Sequence, residues 1–101
     1  MLPVGREWTF LSNYGHVLVS LGRDPDARMR DVAEAVGITE RAVQQIVHDL
    51  VAQGYLQKSK IGRRNRYRVV RDAHFRHDLE AGVTLGPFLD LVSGRRQVGT
   101  D

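Results

Sequence analysis

The side chains with the most chemistry to offer fall between positions 39 and 48. Thr39, Glu40, Arg41, Gln44, Gln45 and His48 are polar, and apolar Val43, Ile46 and Val47 are threaded among them. An arginine carries a planar fork of donors that matches the O6 and N7 acceptors of guanine. A glutamine amide offers one donor side and one acceptor, the pair that adenine takes. The chemistry open to this set is direct reading of base edges. A second set follows soon after. Lys58, Lys60, Arg63, Arg64, Arg66, Arg68 and Arg71 are interrupted by no acidic residue, and Asn65 lies among them. Alone, such a run reads as a solvated face; beside a base-reading set it matches a phosphate backbone.

Reaction chemistry is poorly served. Serines 12, 20, 59 and 93 have no neighbours that would activate them, and no phosphate-binding glycine motif occurs. His48 and Asp49 are adjacent on a helix and point in different directions. The chain has no cysteine, which excludes disulfides, thiolate metal sites and cysteine nucleophiles. Asp72, His74, His77 and Glu80 form a compact string of weak metal-ligand candidates, for which solvated loop histidines are the plainer reading. The expectation is a non-enzyme with no metal and no cofactor.

The elements that position the polar sets can be read from apolar spacing. A first helix is expected from Thr9 or Ser12, either of which can cap it, to Leu21. Its apolar face is Phe10, Tyr14, Val17, Leu18 and Leu21, and Gly22 with Asp24-Pro25-Asp26 ends it. A second helix, about Arg30 to Val36, buries Val32, Ala33 and Val36, and Gly37 closes it. Thr39 then caps a third helix, with Glu40 in the first turn where a negative charge suits the helix dipole. This helix runs to about Gln53. At about 100° per residue, Val43, Ile46, Val47 and Leu50 cluster on one side while Arg41, Gln45 and His48 lie opposite.

Strand-like alternation follows over Tyr55–Ile61 and Arg66–Val70, joined by Gly62-Arg63-Arg64-Asn65. Tyr67 and Val69 are expected to point one way, and Arg66, Arg68 and Val70 the other. Residues 72–82 are polar and carry no clear pattern. Thr84 can cap a last helix to Val92, with an apolar stripe of Leu85, Phe88, Leu89 and Val92.

Two helices around a glycine corner, with Ala33 small enough for a close crossing and Ile38 plugging the turn, meet the needs of a helix-turn-helix. The order helix, helix, helix, strand, wing, strand makes the expected fold class mainly α with a small β-hairpin wing, a winged helix-turn-helix. Residues from about Trp8 to Val92 resemble bacterial winged helix-turn-helix regulators of the MarR type, with ArsR-like families a close alternative. The stretches that carry the resemblance are RDVAEAVGITERAVQQIVHDLVAQGYL and KIGRRNRYRV. The resemblance implies a transcription factor that acts as a homodimer on a palindromic operator. It assigns Thr39, Arg41, Gln44, Gln45 and His48 to the reading helix and Arg63, Arg64 and Arg66 to the wing. The wing lacks the Asp-x-Arg tip usual in the family.

The bulk properties agree with that expectation. The chain has 101 residues, a formal net charge of +3, 42% hydrophobic and 27% charged residues. That composition is ordinary for a folded globular domain and argues against wholesale disorder. No apolar run approaches the ~18 residues that cross a bilayer, and no signal peptide is evident, so a cytoplasmic protein without a membrane partner is expected. The expected organisation is an arm over residues 1–7, one domain over 8–92 and a flexible tail over 93–101. Phe10, Tyr14, Leu18, Leu85, Phe88, Leu89 and Val92 are the candidate homodimer surface. The expected function is sequence-specific double-stranded DNA binding, with residues 39–53 in the major groove and the basic wing, 58–70, on the backbone or minor groove. A winged-helix protein–protein or RNA-binding module is the alternative, and a small-molecule effector is left open.

Overall fold

Ser12 opens the first helix. In the computed structural model, which describes residues 8–93, its hydroxyl accepts from the Gly15 N–H at 3.4 Å and α1 runs Asn13–Arg23. Of the two candidate caps Thr9 is therefore not used; its hydroxyl donates to the Leu11 carbonyl instead. The helix also passes the expected stop at Leu21. Gly22 stays helical with Leu89 packed 3.4 Å from where a Cβ would stand, and Asp24 ends the helix. The Asp24 side chain then accepts from the Asp26 N–H at 3.1 Å and turns the chain. The expected arm, residues 1–7, and residues 94–101 of the expected tail lie outside the described residues.

Helix α2 spans Met29–Val36 and starts one residue earlier than its apolar spacing indicates. Gly37 follows with φ 89°, a left-handed conformation that a side chain would strain. This sharp stop brings Thr39 into place, where its hydroxyl accepts from the Ala42 N–H at 3.0 Å and starts α3, Glu40–Ala52. Val43, Ile46, Val47 and Leu50 of α3 are buried, as are Val32 and Ala33 of α2.

The hairpin is shifted from its expected bounds. Strand β1 is Leu56–Ile61 and β2 is Arg64–Val69, paired antiparallel from Leu56 opposite Val69 to Ile61 opposite Arg64. Only Gly62 and Arg63 are left as the loop, so the expected four-residue link is two residues long. Gly62 takes φ 64° and no described non-glycine residue has positive φ, the pattern of a hairpin turn with glycine in its first central position. The tight turn draws Arg64 and Asn65 into the strand.

Residues 72–82, unpatterned in sequence, are organised by backbone pairing within the segment that leads to the last helix. His74 bridges Thr84, and a short 3-10 turn covers Asp78–Glu80. Helix α4 spans Leu85–Ser93, so Ser93 belongs to the helix and not to a tail. Its first-turn N–H groups at Leu85 and Gly86 donate to the carbonyls of Ala73 and Arg71, which satisfies them through the chain preceding the helix.

One core joins all of these. Val17, Leu18 and Leu21 of α1 meet the buried residues of α2 and α3, Leu56 and Tyr67 of the hairpin, and Leu85 and Leu89 of α4. This corrects part of the expected dimer surface. Leu18, Leu85 and Leu89 are buried inside a single chain because α4 folds back onto α1, and they are core. The architecture is mainly α with a small β-hairpin wing, a winged helix-turn-helix. No described helix is long and apolar enough to cross a membrane.

Candidate nucleic-acid interface

The buried side of α3 fixes what its other side presents. With Val43, Ile46, Val47 and Leu50 in the core, Glu40, Arg41, Gln44, Gln45 and His48 all emerge exposed. Thr39 is also exposed, with its hydroxyl oxygen engaged as the cap. Not all of these side chains are equally loose. The Gln45 amide donates to Asp49 Oδ1 at 3.0 Å, one helical turn on. The other oxygen of the same carboxylate, Oδ2, accepts from the Tyr14 hydroxyl of α1 at 2.5 Å. The hydrogen bond to Asp49, with smaller contributions from burial and from the carboxylate charge, holds the Tyr14 phenol above its ordinary pKa of 10.0. The Gln45–Asp49 pair has the i, i+4 spacing of helix neighbours and was open to sequence reasoning. Tyr14, 35 positions away, carried no such signal.

The hairpin divides its basic residues between two faces. Cross-strand partners share a face, so the register puts Lys58 with Tyr67, Lys60 with Asn65 and Leu56 with Val69. Leu56 and Tyr67 of this face enter the core. Farther out, Lys58 and Asn65 line one groove of about 340 Å³ with Gln44 and His48 of α3 and Met29 of α2. Lys60 lies on the same face one step nearer the tip. The inner face of the wing and the exposed face of α3 are thus continuous.

The opposite face carries Arg64, Arg66 and Arg68, and the first two have an intramolecular partner. Arg66 makes a two-pronged ion pair with Asp26, Nε to Oδ1 at 3.0 Å and Nη2 to Oδ2 at 3.2 Å. Arg64 Nη2 donates to the Asp26 carbonyl. The Tyr67 N–H donates to the Pro25 carbonyl at 3.2 Å, so the loop between α1 and α2 lies along the outer edge of β2. Both charged side chains are about half exposed, and such a pair contributes roughly 0.2–1 kcal/mol. It orients the wing without locking it. Arg63 sits exposed in the two-residue tip, and Arg68 is exposed on β2. Arg71, last of the basic run, leaves the hairpin and pairs with Asp90 of α4 at 2.7 Å.

Behind α3 lies an apolar cleft of about 630 Å³ between α1, the end of α3 and residues 75–88. Tyr14 and Phe10 stand at it, and Phe75 and Phe88 pack edge to face within it at 5.1 Å. Of the expected dimer residues, Phe10, Tyr14 and Val92 are exposed and Phe88 is half-buried. The string Asp72, His74, His77 and Glu80 does not converge: among the described residues no three such side chains come together as a metal site. His74 Nδ1 lies 2.8 Å from the Ala81 carbonyl, and His77 Nδ1 accepts from the Leu79 N–H at 3.0 Å. Both rings serve the local turn.

A family model for the MarR family matches residues 11–64. The match takes in α1, α2, α3, β1 and the wing turn, and it ends at the first residue of β2. Among curated proteins no sequence matches the chain. The matched span covers more than half of the chain and contains both the glycine corner and the exposed face of α3. The chain belongs to the MarR family, whose members are transcription regulators and not enzymes.

Proposed function

We propose that this protein is a sequence-specific double-stranded DNA-binding regulator that lays α3 in the major groove. In this reading Arg41, Gln44 and Gln45 face base edges, with Thr39, Glu40 and His48 beside them. Lys58, Lys60, Asn65 and Arg63 of the wing meet the phosphates or the adjoining minor groove, and Arg68 adds positive field from the outer face. The observation that carries the proposal is the shared groove in which Gln44 and His48 of α3 face Lys58 and Asn65 of the hairpin. Base contacts specify and phosphate contacts position, and here both kinds of side chain border one surface. Two copies on a palindromic site, with half-sites about one helical turn apart or a multiple of it, complete the proposal. Exposed Phe10, Tyr14 and Val92 are available for the two-fold contact.

The test is binding to random duplex DNA as a function of salt, followed by selection of bound sequences from a random pool. Binding that weakens linearly on a log–log salt plot, with a selected symmetric motif, is the expected result. No duplex binding even at low salt would overturn the proposal and leave a protein- or RNA-binding module.

A further inference from the structure

We propose that Asp49 is a positioning residue that sets which way round the Gln45 amide is offered to a base, and that Tyr14 anchors it from outside the reading helix. The inference rests on the proposal that Gln45 reads a base. A glutamine amide has nearly the same shape either way round, and only its hydrogen bonds decide which end is which. An ionised carboxylate accepts and cannot donate. Asp49 Oδ1, 3.0 Å from Gln45 Nε2, therefore selects the NH₂ end. Reversing the amide would set Oε1 against a carboxylate oxygen, acceptor facing acceptor.

The carboxylate cannot easily turn away to allow that reversal. Its second oxygen is held at 2.5 Å by the Tyr14 hydroxyl, a charge-assisted bond at the short end of the O–H···O⁻ range. With one N–H given to Asp49, the Gln45 amide keeps one N–H and the Oε1 acceptor. Those are the two groups adenine takes, at N7 and N6 respectively. Base preference at one position would thus depend on an aspartate and a tyrosine that need not touch DNA.

The experiment compares sequences selected from a random duplex pool by the wild-type chain, Gln45→Ala, Asp49→Asn and Tyr14→Phe. Gln45→Ala identifies the position read, by losing an adenine preference there. Asparagine at 49 offers both a donor and an acceptor, so either orientation of the Gln45 amide finds a partner. The expected result for Asp49→Asn is that discrimination at that one position, on the order of 5- to 150-fold for a good bidentate pair, falls toward equality. Preferences elsewhere stay as they are. Tyr14→Phe, which keeps the ring and loses only the hydroxyl, should relax the same position by less. Asp49→Asn made in a Gln45→Ala background should change nothing further there.

An adenine preference left intact by Asp49→Asn overturns the proposal, as does a loss spread evenly over all positions, which would mark a folding effect. Should Asp49→Asn fail to fold, an unchanged profile for Tyr14→Phe overturns it. A wild-type motif that Gln45→Ala does not alter removes Gln45 as a reader while leaving DNA binding standing. Absence of any selected motif removes the functional reading itself.

Discussion

Helix α3 and the hairpin are the two halves of one candidate interface, yet they are held in different ways. Helix α3 is set by burial: Val43, Ile46, Val47 and Leu50 sit in the core, and its polar face is what remains. The hairpin puts Leu56 and Tyr67 into that core, packs Val69 half-buried against it, and leaves the rest of its length exposed. Its angle is helped by the Asp26 contacts to Arg64 and Arg66 on the outer face. A helix placed by apolar packing responds little to salt, whereas a wing oriented by exposed charge does. The two halves should therefore fail differently when perturbed.

The largest effect should come from removing what holds α3. Leu50→Ala deletes a buried side chain and should destabilise the fold by roughly 2–5 kcal/mol, read as a lower denaturant midpoint. A loss below about 1 kcal/mol would mean that burial does not fix the helix as described. Next in size is the exposed face of α3. Arg41→Ala should leave the midpoint almost unchanged and cost roughly 1–3 kcal/mol of discrimination at one base pair. Equal weakening on every sequence would instead make Arg41 a phosphate contact.

The wing supplies the sharper contrast between its own faces. Lys60→Ala, on the inner face, should flatten the log–log salt slope of DNA binding by about one unit. Asp26→Ala should do the reverse and steepen the slope, since it releases Arg66 toward phosphates while Arg64 keeps its backbone acceptor, with a stability change of no more than about 1 kcal/mol. If Asp26→Ala flattened the slope, the latch would be holding the wing in its DNA-binding pose. The smallest effect belongs to Tyr14. Its folded-state pKa is raised above 10.0, so its hydrogen bond to Asp49 persists below that pH and is lost as pH rises through the raised value. Ultraviolet titration should show one tyrosine ionising late, a feature absent in Tyr14→Phe and reduced in Asp49→Asn.

Much of this interface was legible in residue order. The 3.6-residue spacing of Val43, Ile46, Val47 and Leu50 named the exposed set on α3, because a helix that buries one side must show the other. Gly37 and Thr39 marked the corner and the cap for equally local reasons. The wing was legible as a basic hairpin but not in its register. Read with a four-residue loop, Arg64 and Asn65 belong to the tip; with the two-residue Gly62-Arg63 loop they become strand residues facing opposite ways. Side chains alternate along a strand, so each step in register exchanges the faces. The apolar stripe on α4 was equally clear, and its partner was not: the same Leu85 and Leu89 suit a second chain or the chain's own α1.

Sequence alone thus determined the local features: the Gly37 corner and Thr39 cap that open α3, which side of α3 is polar, and how the positive charge is distributed. These follow from spacing, capping and glycine geometry within a few residues. The fold decided the pairings between distant segments: Asp26 with Arg64 and Arg66, Tyr14 with Asp49, and α4 with α1. Such contacts join positions from 35 residues apart, Tyr14 and Asp49, to 67 apart, Gly22 and Leu89, and no periodicity along the chain encodes them. They depend on where a common core brings separate elements together, and that core assigned Leu18, Leu85 and Leu89 to the interior while leaving Gln45 on the exposed reading face, tied to Asp49.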